Sequence, residues 1–132
     1  MSINHEKNEE EKIVEDEVLR RSEKWIASFN SGDVDACVVG YTKSAVMNAK
    51  PMGVFTGLKE IEGFWRPFIE SGAGNLVYKN IKLEIVDDKT ALLSADWSMN
   101  VGRGIITMEK WVKLGEDWFL ERDDFEVKEK FS

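Results

Sequence analysis

The chain has 132 residues, 42% of them hydrophobic, and a formal net charge of −7. That length fits one domain built round one core. The acidic balance excludes duplex DNA and anionic membranes as default partners, since both are met by a basic footprint.

Residues 1–12 are polar and rich in glutamate, and read as a flexible acidic tail ahead of a single domain over 13–130. From Val14 a helical period begins: Val14, Val18, Trp25 and Phe29 lie on one stripe, with Ser22 among them and Leu19 and Ile26 widening it. Gly32 is a natural stop and Asp33 a natural N-cap for a short second helix, with Val34, Cys37, Val38 and Tyr41 turned inward. Ala45 to Ala49 reads as a strand, Pro51-Met52-Gly53 as a turn, and Val54-Phe55-Thr56 as a brief return. Leu58 to Ser71 is the next helix, with Leu58, Ile61, Trp65 and Phe68 as its apolar face and Phe64 alongside. Pro67 lies inside it and predicts a kink or a new turn.

The remainder is strand-like. Val77, Ile81, Leu83 and Ile85 share one parity. Ala91, Leu93, Ala95, Trp97 and Met99 alternate with polar residues, as a half-buried strand requires. Ile105 to Leu114 and Trp118 to Val127 follow across Gly115-Glu116-Asp117, and both are apolar on two faces. The order α-α-β-β-α-β-β-β-β predicts an α+β fold, with helices on one face of a strongly curved, mainly antiparallel sheet. A sheet apolar on both faces needs a second cover, which points to a homodimer through the outer face.

Much chemistry is excluded by what is scarce. His5, in the tail, is the only histidine, so Ser-His-Asp and Cys-His sites and His-rich zinc sites lack their parts. No phosphate-binding glycine motif occurs, and neither a cofactor nor a metal is expected. Cys37 is the only cysteine, which rules out an intrachain disulfide and suits a small buried hydrophobe in a reducing compartment. With no apolar leader and no run long enough to span a bilayer, a cytoplasmic setting is expected.

Four segments resemble the NTF2-like superfamily, which includes ketosteroid isomerases, SnoaL-like cyclases and many small proteins of unassigned function. The run from Trp25 to Asp33 resembles that group's helix-one ending. Tyr41 to Met47 resembles its Y-x-x-x-A-V lead-in to strand one, and Gly57-Leu58-Lys59-Glu60-Ile61 through Phe64-Trp65 its G-x-x-x-I…F-W helix. Gly115 to Asp123 resembles its final G-x-x-W-x-x-x-R-D strand. The resemblance covers about residues 14–127 and implies a cone with an internal pocket. In ketosteroid isomerases a tyrosine, an aspartate base and a neutral acid do the work. Those positions fall here at Trp25, at Ala49 and near Glu109. Two of the three depart, so the resemblance does not carry steroid isomerisation over. Nor does it carry the cyclases' acid and histidine.

Two carboxylates stand as catalytic candidates. Glu109 lies between Thr107 and Trp111 in a strand expected to be covered. If Leu114 pairs with Trp118, Glu109 faces Asp123, and adjacent acids can serve as acid and base. If Leu114 pairs with Asp117, Glu109 faces Arg122 in a structural ion pair. The second register gathers Trp111, Trp118 and Leu120 on one face, which favours it. Arg103 is placed in a loop, where a surface arginine is the favoured reading and a place at the pocket mouth, meeting an anionic ligand, the alternative. Tyr41 and Tyr78 can supply hydroxyls. The expected pocket lining is Trp25, Phe29, Met47, Ala49, Phe64, Trp65, Phe68, Trp97 and Trp111, with small alanines leaving room. Such a pocket suits an apolar or aromatic small molecule, either simply bound or turned over by an isomerase, dehydratase or cyclase; an interaction scaffold is the third reading.

Overall fold

The structure is a computed structural model that describes residues 8–131. Helix α1 spans Glu9–Asn30, a turn earlier than the apolar period begins. Asn8 and Glu11 form a capping box, and three glutamates occupy the first turn, where the helix dipole favours them. Helix α1 thus takes in residues 9–12 of the segment read as a tail; residues 1–7, His5 included, lie outside the described residues. The buried face of α1 is Val14, Val18, Ser22, Trp25 and Phe29.

Helix α2 (Val34–Val38) starts at the Asp33 cap. Strands β1 (Tyr41–Lys50) and β2 (Gly53–Thr56) precede helix α3 (Gly57–Glu70). Pro67 does not start a new segment: it lies in the last turn of an unbroken α3, where one lost hydrogen bond is tolerated. Strands β3 (Val77–Asp87), β4 (Thr90–Met99), β5 (Gly102–Leu114) and β6 (Asp117–Lys130) complete the chain in the expected order. They form one sheet ordered β2-β1-β6-β5-β4-β3. Only β1 and β6 are parallel.

The sheet is bent at irregular points. β6 carries an extra residue at Glu121, between the pairs Trp111–Leu120 and Lys110–Arg122, and another at Lys128, between Gly104–Val127 and Arg103–Glu129. β5 carries one at Thr107, between Ile106–Phe125 and Met108–Asp124. β3 is irregular between Lys79 and Lys82, round Asn80 at φ 55°. Each bulge adds local twist and sends the following side chains to the other face. The odd row of β4 keeps its phase, with Ala91, Leu93, Ala95 and Trp97 all buried.

Gly104 sits where β5 packs tightly against β6 and the Trp97 ring. A side chain there would collide with the Glu126 carbonyl oxygen and the Trp97 ring. Gly104→Ala is expected to cost about 2–4 kcal/mol, from overpacking plus the backbone shift needed to relieve it. Urea unfolding followed by tryptophan fluorescence measures this, and a loss below about 0.5 kcal/mol would contradict it.

Candidate functional site

Helices α1 and α3 lie against the concave side of the sheet and enclose a cavity of about 400 Å³. Its closed end is aromatic. Trp25 stacks on Phe29 at 5.7 Å between ring centroids, and Trp65 stacks on Phe125 at 5.8 Å. Phe64, Phe68 and Trp97 complete this wall, while the half-exposed Met52, Val101 and Phe131 mark the mouth. Of the residues expected to line the pocket, Met47, Ala49 and Trp111 lie outside its wall. All three are buried: Met47 and Ala49 pair with Asp123 and Phe125 across the parallel β1–β6 ladder, and Trp111 packs beneath Arg21. Trp25 donates its indole N–H to the Cys37 carbonyl at 3.0 Å, away from any ligand. Cys37 is fully buried, and burial pushes its thiol up to about 12.

Glu109 and Asp123 are the two buried carboxyls among the described residues, and they face each other across β5 and β6. The hairpin answers why. Gly115, at φ 66°, closes a two-residue turn that pairs Leu114 with Asp117. That is the register expected to bring Arg122 to Glu109. The bulge at Glu121 then shifts the ladder by one, and Asp123 arrives instead. The Glu109–Arg122 ion pair is thus corrected: Arg122 turns outward and binds Asp124 at 3.0 Å. No lysine or arginine forms an ion pair with either buried carboxyl among the described residues.

Each carboxyl has its own set of donors. Asp123 Oδ2 accepts from the Tyr41 hydroxyl at 2.7 Å, and the Trp65 indole N–H donates to the Tyr41 oxygen at 3.1 Å. Asp123 Oδ1 is buried and has no partner. Glu109 Oε1 accepts from the Trp111 indole N–H at 2.9 Å, and Oε2 shares a 2.6 Å hydrogen bond with Tyr78. Burial raises both carboxyl pKa values, Glu109 to about 8 and Asp123 to about 6. The neighbouring Asp123 charge adds to the rise at Glu109, while the Tyr41 hydrogen bond restrains Asp123. Asp123 and Tyr78 lie in the cavity wall; Glu109 stands behind Tyr78.

The tautomers follow. Trp111 can only donate, so a proton on Glu109 belongs on Oε2, toward Tyr78. Glu109 then donates to the phenol oxygen and frees the Tyr78 hydrogen for the cavity. Burial together with the neighbouring Asp123 charge pushes Glu109 up the further of the two, so Glu109 is the carboxyl that keeps its proton longer as pH rises, behind the Tyr78 phenol, and Asp123, with one open oxygen, is the one that ionises first. That division of two carboxyls into base and acid is what general acid–base catalysis needs. A buried acid pair left without a cation is costly to the fold, which argues against a purely structural role.

No family model and no curated protein matches the chain. Solved structures do match it. A structure from Novosphingobium aromaticivorans, provisionally named a scytalone dehydratase, superposes with a TM-score of 0.81 over 92% of this chain and 89% of that one, at 11% identity. An NTF2-like protein of unknown function from Pseudomonas putida gives 0.76 over 87% of both chains, at 14% identity. A hexachlorocyclohexane dehydrochlorinase gives 0.76 over 92% and 90%, at 7% identity. At these identities the likeness concerns the fold alone: this chain has the NTF2-like α+β fold.

Proposed function

We propose that the cavity is an active site for proton transfer on an apolar, ring-bearing substrate, as in an enolising isomerase or a dehydratase. The observation that carries this is Asp123: buried, in the cavity wall, with Oδ1 unpartnered. Oδ1 takes a proton from carbon next to a carbonyl. The C–H electron pair moves into the enolate double bond, and the charge on oxygen is met by the Tyr78 hydrogen. The enolate then takes a proton at another carbon or expels a β-leaving group. Two of the similar structures bear names of eliminating enzymes, which supports the class without assigning the substrate. A binding domain without turnover is the second reading, and the apolar wall favours it equally well.

The test is deuterium exchange into β-tetralone in deuterium oxide, followed by proton NMR. Protein should accelerate exchange beyond buffer carboxylate and be stabilised thermally by the ketone. Stabilisation without exchange selects the binding reading; neither effect sinks both.

The fold is also proposed to work as a cytoplasmic homodimer. No helix among the described residues is long and apolar enough to cross a membrane. The outer sheet face is more charged than its sequence suggests, carrying the pairs Lys110–Glu121 and Arg122–Asp124. Flanking them on the sheet lie the half-buried Leu92, Ile105 and Phe119, which a second copy would cover. Equilibrium sedimentation at micromolar concentration should give twice the chain mass, and a monomer removes this part.

A further inference from the structure

The cavity wall contains two charged side chains, Asp123 deep inside and Lys130 at the mouth. Lys130 is there because of a bulge. Asp123, Phe125 and Val127 face the cavity in odd-numbered alternation along β6. Continued unbroken, that alternation would point Glu129 inward and Lys130 outward. The extra residue at Lys128 reverses the phase: Glu129 turns out to bind Arg103 at 2.7 Å, and Lys130 joins the wall opposite Gly102. Gly102 has no side chain to crowd it, and its hydrogens lie against the β6 backbone, where a Cβ would stand 2.7 Å from the Glu129 carbonyl oxygen. Arg103 is a surface arginine, as its sequence position favours, and is neutralised there by Glu129. Lys130 is the one cation of the wall and forms no ion pair among the described residues. In a chain of charge −7, the fold has turned an acid away from this opening and a base toward it.

We infer that the ligand of this cavity is an amphipathic organic anion: an apolar, ring-bearing body that reaches Asp123, and a carboxylate that Lys130 meets at the mouth. This rests on the cavity being the ligand site. Six residues of strand separate Asp123 from Lys130, roughly 20 Å of backbone, so the two groups engage opposite ends of one molecule. The apolar wall between them has no other charge to offer. A lysine suits the role, because a flexible ammonium can follow a carboxylate at a partly open rim without fixed geometry.

The test uses a matched pair of probes, a naphthyl-hexanoate and its primary amide, titrated calorimetrically into the full-length protein at neutral pH. The carboxylate is expected to bind roughly three- to tenfold more tightly at low ionic strength, with the preference shrinking in high salt. Lys130→Met should erase the preference, Lys130→Arg should keep it, and Lys59→Met, exposed on α3 outside the cavity wall, should not alter it. Equal binding of acid and amide by the wild type overturns the inference while leaving the cavity reading intact. Failure of both probes to bind overturns the two together. Lys130 is exposed, so its replacement should leave the fold in place, with an unchanged circular dichroism spectrum as the check.

Discussion

Asp123→Asn is expected to lower exchange into β-tetralone by about 10²- to 10⁴-fold, the usual contribution of a positioned general base. The change is close to isosteric. The Asn carbonyl oxygen can still accept from Tyr41, whose own oxygen remains held by Trp65. What is lost is the open anionic oxygen. An amide nitrogen there cannot take a proton. The fold should survive, and at alkaline pH the variant should melt no lower than the wild type, because a buried charge has been removed. Glu109→Gln makes the opposite prediction. Its amide oxygen accepts from Trp111 and its amide nitrogen donates to Tyr78, copying the neutral acid, so exchange near neutrality should persist within about threefold. If Asp123→Asn keeps wild-type exchange, or the two variants lose it equally, the assignment of base and backing acid is wrong.

The parts legible in the sequence are those where a single period runs unbroken. The α1 stripe from Val14 to Phe29 and the odd row of β4 both keep phase, and both lie where alternation puts them. The groups of the site are harder to place because each sits next to a bulge. Val77 and Ile81 share parity with Leu83, yet both are exposed and Tyr78 faces inward, since the ladder slips between Lys79 and Lys82. Glu109 was offered either Asp123 or Arg122 by two regular hairpins. The protein takes the turn of one and the pairing of the other by inserting Glu121. Lys130 sits on the wrong parity until Lys128 is counted as extra. A bulge costs a ladder hydrogen bond and has no strong residue signature, whereas a glycine turn or helix cap does. The cavity's aromatic wall was readable for a different reason: Trp25, Phe29, Phe64, Trp65 and Phe68 come from helices, whose period bulges do not disturb.

The same two acids should make the protein lose stability as pH rises. Both folded-state pKa values lie above the unfolded ones, Glu109 at about 8 and Asp123 at about 6. A raised pKa means the folded chain binds the proton more tightly, so the contribution is complete below the unfolded values near pH 4 and fades as pH climbs through the folded ones. Between about pH 4.5 and 6 both groups act, each at up to about 1.4 kcal/mol per pH unit; from 6 to 8 only Glu109 does. Urea unfolding across this range should therefore show a steep fall and then a shallower one. Glu17 works in the other direction. Its pKa is lowered chiefly by the Trp118 hydrogen bond, so its support is lost only as pH falls. Glu109→Gln should flatten the fall between pH 6 and 8 and leave the steeper part to Asp123. Exchange activity follows the same ionisations in a bell: it rises as Asp123 ionises, then declines as Glu109 loses the proton that frees the Tyr78 hydrogen. In Glu109→Gln the alkaline limb should vanish while the acid limb stays. Stability that rises with pH through this window, or an alkaline limb that survives the substitution, would mean that Glu109 does not hold the proton at neutral pH.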